Sequence, residues 1–197
     1  MAEILNDREF YKDYEIIGGE KFMAPSPGWG HVNVTANLLT IINGYARINK
    51  LGVAIADNFD VHFPDGSLFK PDFIFVSAEN AKSLLTSKDS TIHGVPDMVA
   101  EIFSRSTMKH DIGIKKDTYE ANGVREYWII DPYSEYIQVY LLHDGKYYLD
   151  NVYNNYSDEE LAELTDEERV DVQPEVPVNV LDGFKVKIRN IFGWYFE

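Results

Sequence analysis

Three short apolar runs constrain this chain more than any other feature. Residues 73–76 and 98–100 are apolar at every position, and 127–130 read Tyr-Trp-Ile-Ile. A strand with one wet face alternates apolar and polar residues, so unbroken runs this short suit strands covered on both faces. Covering two faces takes helices, and the chain supplies candidates. Over residues 31–49, Val34, Leu38, Ile41, Ile42, Tyr45 and Ile48 recur at helical spacing. A second helix is predicted to run from Ser106 or Thr107, as N-cap, to Asn122, with Gly123 as its stop. The expected class is α/β, with a central mixed β-sheet flanked by helices.

The edges of that sheet are also legible. Residues 14–17 and 21–24 read as a hairpin across Gly18-Gly19, and 137–142 with 146–149 as another around Asp144-Gly145. In 58–63, Phe59, Val61 and Phe63 alternate with Asn58, Asp60 and His62, the period of a half-buried strand, before an Asp65-Gly66 turn. Residues 184–188 form a last strand. No repeat or Pro/Gly/Ser-rich linker divides the 197 residues, so one domain over 1–197 is expected, with an acidic insertion at about 154–177. That insertion reads as a solvated loop with one helical turn over 159–164.

Charge bears on the partner. The chain holds 18 basic and 33 acidic residues, a net of −15, and a nucleic-acid partner asks for a positive footprint. The excess is uneven: residues 157–175 alone carry −8, while 101–128 are neutral. Charge therefore weakens a nucleic-acid hypothesis without excluding one. No apolar run is long enough to cross a bilayer, no basic-then-apolar leader opens the chain, and there is no cysteine. A cytoplasmic protein without membrane contact is the expectation, and thiolate chemistry is excluded.

Two acids stand at strand edges among apolar neighbours. Asp72 precedes the run 73–76, and Glu101 follows 98–100. An ionised carboxylate beside a buried strand costs several kcal/mol unless paired. Two of them on neighbouring strands suit a hard divalent cation, which takes oxygen ligands. On the following helix, Asp111, Lys115 and Tyr119 are spaced i, i+4, i+8 and share one face. By residue physics alone this is as much an Asp–Lys surface pair, worth under ~0.5 kcal/mol, as part of a site.

The run Glu101-Ile-Phe-Ser104-Arg-Ser106, then Asp111, Lys115, Tyr119 and Gly123-Val-Arg-Glu-Tyr-Trp-Ile-Ile-Asp131-Pro132, resembles the Uma-type restriction endonucleases of the PD-(D/E)XK nuclease superfamily. The likeness extends through Lys70-Pro71-Asp72, His31 and residues 14–20 upstream, and through 181–192 downstream. It implies a restriction-endonuclease-like fold and a metal-dependent DNA endonuclease. Asp72, Glu101 and Lys115 would be the catalytic residues. Mg²⁺ or Mn²⁺ would sit on Asp72, Glu101 and the main-chain carbonyl of Ile102. In the general superfamily pattern the lysine follows the glutamate by two residues; here that place is Phe103, and Lys115 on the next helix stands in for it.

Supporting roles fall to Glu20 (a further carboxylate or a surface acid) and to His31, read as a hydrogen-bonded neighbour of the acids. Ser104 and Ser106 suit phosphate contact or helix capping. Asp111 would steer Lys115, and Tyr119 shares its face. His62, His93, His110 and His143 show no zinc spacing. Folds of this kind commonly dimerise, and residues 137–149 with the aromatic end 192–196 offer apolar surface for a homodimer. The other reading is a catalytically silent nuclease-fold protein that acts as a binding module.

Overall fold

The computed structural model describes residues 14–17, 20–23, 27–56, 59–85, 91–103 and 111–194. The three apolar runs become adjacent or near-adjacent strands of a six-stranded sheet: β6 (Phe73–Ser77), β8 (Met98–Ile102) and β9 (Glu126–Asp131). With β3 (Gly52–Ala56), β10 (Tyr136–His143) and β11 (Lys146–Asn154), the order is β11-β10-β9-β8-β6-β3. Only β8 and β9 run parallel; the other neighbours are antiparallel, so the sheet is mixed.

Both faces are covered, which is why the runs do not alternate. On one face Phe73, Phe75, Ala100, Trp128 and Ile130 meet Val34, Leu38, Ile42 and Ala46 of the first helix. On the other, Ile74, Val76, Val99, Tyr127 and Ile129 meet Val61, Phe69, Ile92 and Tyr119. Each of these large apolar side chains contributes about 1.5–3 kcal/mol by leaving water.

The first helix runs as α1 (Trp29–Leu38), a π-helical turn (Leu39–Asn43) and α2 (Gly44–Ile48). The buried stripe is Val34, Leu38, Ile42, Ala46, a spacing of four throughout, while Ile48 is exposed. The wide turn explains this departure from the expected stripe, since an extra residue in one turn shifts the phase of every later side chain. Gly52 then brings the chain against β6: a Cβ there would lie 2.3 Å from the Val76 carbonyl oxygen.

A smaller sheet, β2-β1-β5-β4-β7, lies toward the Phe69 side. It comprises β1 (Tyr14–Ile17), β2 (Glu20–Met23), β4 (Val61–His62), β5 (Leu68–Phe69) and β7 (Ile92–His93). The expected strand over 58–63 is thus reduced to two residues, with Asn58 outside the described residues. The β10–β11 hairpin is longer than predicted and turns at Asp144 and Gly145, both with positive φ.

After β6 comes α3 (Ala78–Leu84). After β8, a π-helical turn (Asp111–Lys115) leads into α4 (Lys116–Asn122), which ends at left-handed Gly123. The expected N-cap at Ser106 or Thr107 lies outside the described residues. In the acidic insertion, the expected loop with one turn is instead two short helices, α5 (Asp158–Glu163) and α6 (Asp166–Val170). Each starts with a reciprocal cap, Ser157 with Glu160 and Thr165 with Glu168. The signal was present in the sequence as Ser-x-x-Glu and Thr-x-x-Glu.

The expected last strand over 184–188 is present but shorter: β13 (Lys185–Lys187) pairs with β12 (Glu175–Pro177) in a sheet of its own. Ile188 opens α7 (Ile188–Phe192), because Ile188, Ile191 and Phe192 present a buried helical face. Among the described residues, no helix is long and apolar enough to cross a membrane.

Glu126 anchors this C-terminal segment. Its buried carboxylate accepts from Trp128 Nε1 (2.8 Å), the Val180 N–H (2.8 Å) and Asn179 Nδ2 (3.4 Å). Burial pushes its carboxyl above the usual glutamate value despite these donors. A carboxyl raised on folding holds its proton in the native state after the unfolded chain has released it. Its contribution is therefore complete at low pH and is lost as pH rises through the folded value. Glu126→Gln is expected to cost about 1–3 kcal/mol, because an amide NH₂ must face one of the donors. Its Tm should also gain on the parent's as pH rises from 4 toward neutrality. Parallel Tm–pH curves would remove Glu126 as the titrating group.

Candidate active site

The β6–β8 register pairs Phe73 with Ala100, and one step further sets Asp72 opposite Glu101. Both stand where β6 begins and β8 ends, on one edge of the sheet. Asp72 Oδ2 accepts from the Ile102 N–H at 2.7 Å, and Oδ1 lies 2.9 Å from His31 Nε2. This places the helix α1 histidine as the neighbour of the acids that was expected. On an extended strand a residue's N–H and C=O point to the same side, so the Ile102 carbonyl leaves β8 on the β6 side, as its N–H does.

Glu101 is more deeply buried. Lys115 Nζ donates to Oε2 at 3.0 Å, and the Tyr119 hydroxyl donates to Oε1 at 2.6 Å. The side chains of Glu101 and Lys115 are each 5 % exposed, against 24 % for Asp72, so solvent reaches the site from the Asp72 side. Phe69 and Tyr119 wall the pair, their rings 5.3 Å apart and edge to face, with Lys115 Nζ 5.9 Å from the Phe69 centroid. A charge pair this dry stands only while both partners are present.

Lys115 and Tyr119 thus share a helix face and meet one carboxylate, 14 and 18 residues before them. Lys116 points elsewhere, with Nζ 4.0 Å above the Tyr140 ring. Phe103, in the superfamily's usual lysine place, is core. Lys115 is not an exposed surface lysine: it is buried and donates to buried Glu101. Asp111 opens the π-helical turn and Glu20 opens β2, but their side chains lie outside the described residues, as do Ser104 and Ser106 entirely.

Among the buried acids to which the sequence reading gave no role are Glu126 and Asp97. Asp97 accepts from the Ser77 N–H (2.6 Å), Asn80 Nδ2 (2.8 Å) and Arg125 (2.5 Å), tying β6, α3 and the start of β9 together. Both are structural.

Among the described residues, no cluster of three or more His, Asp and Glu side chains is arranged to hold a metal. The donor set nevertheless fits a hard divalent ion: two opposed carboxylates and a strand-end carbonyl, all oxygen. Mg²⁺ sites characteristically use one or two carboxylates and leave the remaining positions to water and phosphate.

A cavity of about 470 Å³ beside the end of β11, lined by Leu161, Val172, Pro174 and Arg189 among others, contains none of these residues.

The model of the Uma2 family, whose description reads "Putative restriction endonuclease", matches residues 6–179. Among solved structures, a "putative nuclease belonging to DUF820" from Anabaena variabilis superposes with a TM-score of 0.68 at 17 % identity. The match covers 91 % of this chain and 89 % of that one. No curated protein matches the chain.

Proposed function

The chain belongs to the Uma2 restriction endonuclease family, and from that premise we propose that it is a metal-dependent endonuclease hydrolysing phosphodiester bonds in DNA. The observation that carries the reading is the opposition of Asp72 and Glu101 across β6 and β8, with the Lys115 ammonium 3.0 Å from Glu101.

Asp72, Glu101 and the Ile102 carbonyl would hold Mg²⁺ or Mn²⁺. Bound there, such an ion neutralises phosphate charge and lowers the pKa of water. The protein's own groups do the rest. The His31 contact and the Ile102 N–H fix the Asp72 carboxylate, while Tyr119 fixes Glu101. Lys115 puts a positive charge where the phosphate gains negative charge as water oxygen bonds to phosphorus. The P–O ester bond then breaks, and the proton that the attacking water gives up is balanced by one that the leaving oxygen takes from solvent. Phe69 and Tyr119 exclude bulk water from Lys115, which strengthens its field.

A homodimer is part of this reading. Tyr148, Leu149 and Val152 are exposed on edge strand β11, and a light-scattering mass of 22.6 kDa at micromolar concentration would exclude a stable one.

The second reading, a silent binding module, draws on the net charge of −15 and on both Glu101 oxygens already being bonded. Supercoiled plasmid with Mn²⁺ at low salt separates the two. Nicked and linear products are expected. Intact DNA and RNA under both Mg²⁺ and Mn²⁺ would favour the module.

A further inference from the structure

Two of the chain's three tryptophans stand side by side on the surface. Trp29 and Trp194 are 62 % and 59 % exposed, with ring centroids 5.3 Å apart and planes tilted by 31°. The third, Trp128, is buried and spends its N–H on Glu126. We propose that the Trp29–Trp194 pair is a stacking platform that holds an unpaired nucleobase of a single-stranded stretch beside the Asp72–Glu101 site. The proposal rests on the nuclease reading and narrows its substrate.

Position is the first argument. Trp29 opens α1 two residues before His31, whose Nε2 lies 2.9 Å from Asp72. A Cβ on Gly30 would lie 3.2 Å from Pro132 Cβ, and one on Gly28 3.4 Å from the Tyr133 hydroxyl. The start of α1 is therefore seated against the residues that follow β9. Since β8 and β9 run parallel, with Ile102 beside Ile130, that is the edge where Glu101 stands.

Pre-organisation is the second argument. Asn37 on α1, itself buried, donates to the Ile191 carbonyl at 3.0 Å and the Gly193 carbonyl at 3.2 Å. Asn33 donates to the Phe192 carbonyl at 3.3 Å. The Gly193 N–H donates to the Arg189 carbonyl at 2.8 Å, in a turn where a Cβ would come within 2.6 Å of that oxygen. The backbone is thus clamped just before Trp194, although its ring stands in water. A rigid, exposed aromatic loses little entropy when something covers it.

Chemistry chooses the occupant. The two exposed rings present at most about 300 Å², far below the roughly 800 Å² per partner of a stable protein interface. They match the area of a base. The rings are too close to admit another between them, so a base stacks on an outer face. A chain of net charge −15 gains little from phosphate attraction, whereas stacking is indifferent to charge and tolerant of sequence.

Because Trp128 is buried, intrinsic fluorescence reports the platform. Twelve-nucleotide oligothymidylate, added in EDTA, should quench the parent saturably, and the same strand annealed to oligodeoxyadenylate should do so at least about 10-fold more weakly. By anisotropy of labelled oligothymidylate, Trp29→Ala and Trp194→Ala should each weaken binding about 10-fold. Trp29→Phe should restore most of it, at a Tm close to the parent's in every case. Binding by anisotropy without quenching, or unchanged in both alanine variants, would overturn the platform. So would a fluorescence change on dilution without nucleic acid, which assigns the rings to a second copy. Cleavage of plasmid by a parent that shows no quenching overturns the platform alone. Neither cleavage nor binding of any nucleic acid overturns the nuclease reading and the platform together.

Discussion

Lys115→Ala is expected to lose ~10²-fold or more in plasmid cleavage and to unfold about 3–5 kcal/mol more easily. The two losses have one origin. Lys115 Nζ lies 3.0 Å from Glu101 Oε2, and both side chains are 5 % exposed. Alanine removes the ammonium from a buried carboxylate in a dry pocket, while the Tyr119 hydroxyl bond stays. Part of any activity loss would then be loss of fold, so two comparisons keep the test clean. Lys115→Gln retains an N–H donor without charge, and should recover stability more than activity. Lys116→Ala removes a cation from the Tyr140 face, worth about 0.5–1 kcal/mol, and should cleave at nearly the parent rate. Equal cleavage by Lys115→Gln, Lys116→Ala and the parent would show that the buried ammonium is structural only.

Millimolar Mg²⁺ or Mn²⁺ is expected to raise the parent's Tm by about 5–10 °C, and to leave Asp72→Asn unmoved. An ion present at 100 times its Kd stabilises by about 2.7 kcal/mol, and 1 kcal/mol shifts Tm by about 2–4 °C in a domain of this size. Asparagine suits the test because it keeps the shape of Asp72. Its Oδ1 can still accept the Ile102 N–H, and the His31 ring can change tautomer to accept from its NH₂. The fold should survive while the charge is lost. Asp72 is the better target than Glu101, whose removal would also break the buried pair with Lys115. Equal shifts in parent and variant would place the ion elsewhere and remove the basis of the proposed site.

The central sheet could be read from local pattern. Runs 73–76, 98–100 and 127–130 have no polar face to show to water, so they had to be inner strands, and each is. The shared helix face of Lys115 and Tyr119 follows from a spacing of four. The placement of Asp72 and Glu101 at strand edges follows from where apolar runs start and stop. Two features were legible but missed: the reciprocal caps at Ser157 and Thr165, and the helical face of Ile188, Ile191 and Phe192.

Other facts have no local signature. Periodicity reports which side of an element avoids water, not which polar atom lies within 3 Å of another. The π-helical turn that moves the first helix's stripe from Ile48 to Ala46 reflects how that helix meets the sheet. Glu126 reads as one more acid until the Val180 N–H, 54 residues on, closes over it. Trp29 and Trp194 read as two unrelated aromatics until Asn33 and Asn37 pin the end of the chain to α1. The layers, the strand edges that carry the acids and the helix face that carries the lysine follow from local pattern, because burial is set by the period of apolar residues. That Lys115 and Tyr119 bond to Glu101 and that His31 reaches Asp72 does not, because these contacts depend on strand register and helix docking at ångström scale.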